Sequence, residues 1–104
     1  MTSEEFEEIS HECGYNTVRD SRFTICKAPE SDYWMAVYGQ GVISINQEFL
    51  FNIYATGCIM PVNQKVYKFG MRKKVYRNYL LRMKRRYKNA KIELKKFQMG
   101  NDFQ

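Results

Sequence analysis

The chain has 104 residues, 44 % of them hydrophobic and 15 % aromatic, with a formal net charge of +6. That length suits one domain of about 100 to 200 residues, and so many aromatic rings argue against a disordered chain. Three cysteines, Cys13, Cys26 and Cys58, are odd in number and widely spaced, which supports neither a disulfide framework nor a CxxC zinc site and suggests a reducing compartment.

The first predicted element is a short helix from a Ser3 cap to about Cys13. Phe6, Ile9 and Cys13 recur on one face and Gly14 stops it. Glu4, Glu5, Glu7 and Glu8 lie near the positive end of its dipole. This acidic start lacks the basic and apolar regions of a signal peptide, so a cytoplasmic protein is expected.

Two runs rich in aromatic and branched residues follow, 22–27 and 33–45, separated by the turn-like Ala28-Pro29-Glu30-Ser31-Asp32. Gly39-Gln40-Gly41 divides the second run, and the pattern predicts a three-stranded antiparallel meander. Asn46 is placed to cap a middle helix over residues 47–55, with Phe49, Leu50, Ile53 and Tyr54 as its apolar face and Gly57 and Pro61 as its stop. The stretch 49–60 is broken by Asn52, Thr56 and Gly57 and is too short to span a membrane. A short strand at 65–69 leads through Gly70 into the last element.

Residues 71–97 read as a long helix. Tyr76, Leu80, Met83, Tyr87, Ala90, Leu94 and Phe97 form a seam at alternating spacings of four and three. Lys74, Arg77, Lys84, Arg85, Lys88 and Lys95 fall on the other side. Leu81 and Ile92 interrupt that basic face, which leaves two readings open. Either the helix is gripped on two sides, or it ends near Asn89 and residues 91–97 form a strand.

Charge is segregated along the chain. Residues 1–64 hold nine acidic and three basic side chains, and residues 65–104 hold two acidic and fourteen basic ones. Such asymmetry points to nucleic acid or another acidic surface. The alternative is internal neutralisation, with the acidic segment lying against the basic one.

Little in the sequence points to catalysis. His11 is the single histidine, and His11, Glu12 and Cys13, as helix neighbours, point in different directions rather than at one ion. Gly39-Gln40-Gly41 lacks the further residues of a nucleotide-binding loop. The expectation is therefore a protein that is not an enzyme, with no metal, no cofactor and no small-molecule substrate.

The candidate site is the basic helix, with Lys74, Arg77, Lys84, Arg85 and Lys88 as contacts to phosphates. Tyr67, Phe69, Tyr76, Tyr79 and Tyr87 are interleaved with the charges and offer stacking on unpaired bases. For Tyr76 and Tyr87 a place in the core is the favoured reading. A solvated helix face, an anionic membrane surface and an acidic protein groove are the alternatives, the membrane being disfavoured by a seam richer in Tyr than in Leu and Trp.

The segments EEFEEISHECGY from Glu4, FTIC from Phe23 and WMAV from Trp34 resemble the opening of small accessory proteins of phages and mobile elements of Gram-positive bacteria. In that group a short helix ending in Cys-Gly precedes a β-meander. The resemblance covers the first half of the chain, and the cationic second half departs from the group's more acidic continuation. It implies an inhibitor of a host-defence nucleoprotein such as a CRISPR-Cas effector, acting in the cytoplasm of a bacterial host.

Together these readings give an α+β chain, a single domain over 1–104 whose acidic α/β-meander segment spans 1–64 and whose basic, mostly helical segment spans 65–104. The expected partner is a nucleic acid or a nucleoprotein. The alternative is a protein–protein module, a homodimer paired through the helical seam.

Overall fold

A computed structural model describes residues 1–51 and 59–102. The architecture is α+β: two helices lie on one face of a five-stranded antiparallel sheet. Helix α1 (Ser3–Glu12) starts at Thr2, whose hydroxyl accepts from the Glu5 amide at 3.2 Å while the Glu5 carboxylate accepts from the Thr2 amide at 2.9 Å. This reciprocal pairing makes Thr2 the cap rather than the expected Ser3. The Ser3 hydroxyl instead lies 2.9 Å from that of Thr24 in the sheet. Gly14, at φ +86°, ends the helix as expected.

The sheet is a meander in chain order: β1 (Thr17–Asp20), β2 (Phe23–Lys27), β3 (Trp34–Gly39), β4 (Val42–Phe51) and β5 (Ile59–Tyr67). The expected hairpin at Gly39-Gln40-Gly41 is present. Gly39 pairs with Val42 across the two-residue loop Gln40–Gly41, and both loop residues have positive φ, +52° and +77°. Five strands replace the predicted three. β1 is a four-residue strand with too little pattern to be noticed, and it is held by its register Thr17↔Cys26 to Asp20↔Phe23.

The largest correction concerns the middle helix. Residues 47–51 continue β4, and the rest of that predicted helix, with Gly57, lies outside the described residues. Phe49, Leu50 and their neighbours fit a period of two as well as 3.6, the usual ambiguity of a short apolar run. The strand prevails because β5 pairs with it along its length, from Ile43↔Tyr67 to Phe51↔Ile59. Asn46 caps nothing; its side chain donates to the Trp34 carbonyl at 3.1 Å. The short strand expected at 65–69 is β5, beginning earlier and ending at Tyr67. Along this edge strand Pro61 has no amide hydrogen to give, and Asn63 adopts φ +67°.

Helix α2 (Lys73–Asp102) runs past Asn89 without becoming a strand. Its seam residues Tyr76, Leu80 and Met83 are fully buried, together with Tyr79, against Phe6 and Ile9 of α1 and Cys26, Met35, Ile43 and Ile45 of the sheet. Farther along, Tyr87, Ala90 and Leu94 are half-buried and Phe97 is exposed.

Burying phenols requires partners for their hydroxyls. Tyr76 meets the Ser10 hydroxyl at 2.8 Å, and Ser10 donates onward to the Phe6 carbonyl at 2.7 Å. Tyr79 donates to the carbonyls of Asn46 and Met35 at 2.5 and 3.2 Å. Tyr15 donates to the Leu80 carbonyl at 2.6 Å. No buried side-chain N or O atom among the described residues lacks a partner.

Side chains alternate across the sheet. Thr24, Cys26, Ala36, Ile43 and Ile45 face the helices and are buried. The opposite face carries the paired row Val18, Ile25, Val37, Ser44 and Val66, and no described element covers it. Phe23 lies on the same side, its ring occupying the space that a side chain at Gly39 would need.

Leu80→Ala is expected to cost about 2 to 5 kcal/mol of stability, read as a lower chemical-denaturation midpoint. Burial pushes the Cys26 thiol from 9.0 up to about 11, so the folded chain keeps a proton that the unfolded chain releases. Its contribution is complete below pH 9.0 and is lost as pH rises toward about 11. Cys26→Ala is expected to flatten the decline of stability across that window, measured as unfolding midpoint against pH.

Candidate polyanion-binding face

Helix α2 carries eleven Lys and Arg residues between Lys73 and Lys96. The burial of Tyr76, Leu80 and Met83 fixes its rotation, and each cation then has definite surroundings. Several are taken up by the rest of the chain. Lys73 pairs with Glu5, and Arg77 donates to Glu12 at 2.9 Å. Lys84 donates to the Cys13 carbonyl at 3.0 Å, at the C-terminal end of α1. Arg86 donates to the Gln47 carbonyl, and Lys91 to Glu30 at 3.1 Å. Arg82 sits 6.0 Å over the Tyr79 ring.

The five predicted contacts therefore divide. Arg77 and Lys84 face α1 and help hold the two helices together. Lys74, Arg85 and Lys88 are exposed and have no ion-pair or hydrogen-bond partner among the described residues. Lys95 and Lys96 are in the same condition and were not among the predicted contacts. At about 100° per residue, Lys74, Arg85 and Lys96 lie opposite the Tyr76–Leu80–Met83 stripe. They are spaced by eleven residues, which is about three turns and ~16 Å along the axis. That spacing was the available signal for Lys96.

Lys74 stands in the first turn of α2, which contains no acidic residue. A cation there opposes the helix dipole and costs about 0.3 to 1 kcal/mol. Leu81 and Ile92, 44 % and 46 % exposed, lie between the free cations, so this side of α2 is not gripped by another described element.

The interleaved aromatics also divide. Tyr76 and Tyr79 are buried, and Tyr87 is half-buried with its hydroxyl donating to Glu30 at 2.8 Å. Burial and the Glu30 carboxylate push its phenol up to about 12. Tyr67 is half-buried under Lys65, whose ammonium lies 5.1 Å over the ring. Phe69, in the turn before α2, is wholly exposed.

On α1, His11 accepts or donates a 2.8 Å bond with Thr17, Glu12 turns to Arg77, and Cys13 is buried. Among the described residues no three His, Cys, Asp or Glu side chains converge as a metal-binding group, and no helix is long and apolar enough to cross a membrane. No family model, curated protein or solved structure matches the chain.

Arg77 and Glu12 are each about half exposed, 46 % and 50 %. A double-mutant cycle with Arg77→Ala and Glu12→Ala is expected to give a coupling of about 0.2 to 1 kcal/mol that shrinks with added salt. It is read from denaturation midpoints at two ionic strengths.

Proposed function

We propose that this chain is a non-enzymatic binding protein that contacts a nucleic acid or nucleoprotein through the outward cations of α2. The observation that carries this reading is the row Lys74, Arg85 and Lys96, with Lys88 and Lys95 beside it, left without acidic partners among the described residues while the other helix cations are engaged. Unpaired cations along one side of a helix neutralise phosphates and release their counterions whatever the base sequence. The dipole-opposed position of Lys74 supports a use other than stability. Phe69 adds one exposed ring for stacking on an unpaired base, next to Lys68.

A binder rather than an enzyme is favoured by the state of the nucleophilic groups. The Cys13 and Cys26 thiols are buried and raised by desolvation, which disfavours the thiolate. The Tyr15, Tyr76 and Tyr79 phenols are raised in the same way. The resemblance of the first half to phage accessory proteins extends the proposal to inhibition of a host-defence nucleoprotein in the bacterial cytoplasm. Pairing of two chains through the seam is less favoured, because Tyr76, Leu80 and Met83 are already buried within one chain.

The test is binding to single- and double-stranded nucleic acid, and to a Cas effector–guide complex, at two salt concentrations. Lys74→Ala/Arg85→Ala/Lys88→Ala is expected to weaken binding and to lower the salt slope by about two to three. Arg77→Ala/Lys84→Ala is expected to lower stability more than it lowers binding. Equal binding by the triple variant and the wild type overturns the assignment of this face.

A further inference from the structure

We infer that the uncovered face of the sheet docks a second copy of this chain, sheet against sheet, in an isologous dimer. The face is built by the register. Val18, Ile25, Val37, Ser44 and Val66 are neighbours across all five strands, and Phe23 extends the row over Gly39. Along β4 and β5, beyond the polar pair Asn46 and Gln64, apolar side chains resume at Val62, Met60 and Leu50, with Glu48 opposite Val62. Val18, Phe23, Val66 and Leu50 are 41 %, 49 %, 47 % and 59 % exposed. Branched residues in water on both edges of a sheet are what a second layer ordinarily covers.

Area supports a partner of the chain's own size. Five strands about 4.8 Å apart and up to ten residues long make a plate on the order of 500 Å² in projection, before the relief of the side chains is counted. That approaches the ~800 Å² per partner of a standard interface and is comparable to the largest patches, about 300 to 600 Å², that monomers expose.

Charge selects the second copy. The central row is uncharged; of the charges on this face, Asp20 and Lys27 stand at strand ends, where Lys27 already donates to Asp32 at 3.2 Å, and Glu48 lies beside Val62, two pairs beyond Ser44 and Val66. Two such faces meet without like charges at the centre. Any approach through the helices sets the cations of one α2 against those of the other. Docking by the sheets sends the two α2 helices to opposite outer surfaces, and it fits the two-fold self-complementarity of an isologous contact. This inference stands independently of what α2 binds.

Light scattering across a concentration series reads the mass, with far-UV circular dichroism and the melting midpoint confirming the fold. Wild type is expected to reach twice the chain mass. Val18→Glu/Val66→Glu is expected to stay at the single-chain mass, and mixing it with Val18→Lys/Val66→Lys is expected to restore the doubled mass. Leu81→Glu/Ile92→Glu on α2 is expected to remain doubled. A wild type that is monomeric up to millimolar concentration overturns the inference, as does a folded V18E/V66E that stays doubled or a dimer that only the α2 variant dissolves. Should V18E/V66E not fold, spin labels on Ser44→Cys decide, since facing sheets lie about 10 Å apart. Strong coupling between labels of two chains supports the contact, and its absence overturns it.

Discussion

The structure depends on the need of three buried phenols for hydrogen-bond partners. Tyr76, Tyr79 and Tyr15 place large rings in the core, and each hydroxyl reaches an acceptor on a different element: α1 for Tyr76, β3 and β4 for Tyr79, and α2 itself for Tyr15. An apolar seam alone permits a helix to roll by tens of degrees with little loss. Directional bonds to fixed oxygens do not. They set the rotation of α2, and that rotation decides which of its cations meet α1, which meet the sheet and which meet water.

Once α2 is oriented, the segregation of charge acquires two meanings. Some of it is internal, since Glu5 and Glu12 of α1 take Lys73 and Arg77, and the end of α1 takes Lys84. These contacts are exposed or half-exposed and contribute modestly to stability. The remainder, on the side turned away from the core, is compensated by nothing described in the chain. Internal neutralisation thus accounts for Lys73, Arg77 and Lys84, and the cations it leaves over are the ones on which the proposed function rests.

Elements with a strong local signature were legible. The seam of α2, the acidic start of α1 and the glycine turn between β3 and β4 each rest on a period or a backbone requirement contained within a few residues. The middle helix failed because a run of ambiguous period was decided by β5, a partner that pattern alone did not join to it. β1 was missed for a similar reason: four residues acquire strand character only beside β2. The candidate site was legible to the level of a helix side and no further. Arg77 and Lys84 lie 65 and 71 residues from the α1 groups they contact, Glu12 and Cys13, and no local spacing encodes such pairing. Lys96 was overlooked because the sequence left open a helix ending near Asn89 with residues 91–97 as a strand.

The outermost strand has a consequence for how the protein behaves in a crowded cell. A nine-residue edge such as β5 ordinarily offers a template on which further chains add, strand by strand, into open-ended aggregates. Here Pro61 withholds an amide, Asn63 turns the backbone out of line at φ +67°, and the Lys65 charge follows two residues later. β1, at the other margin, is four residues long. Growth along the hydrogen-bonding direction is thereby hindered at β5 and given little purchase at β1, so the margins of the sheet resist fibrous addition.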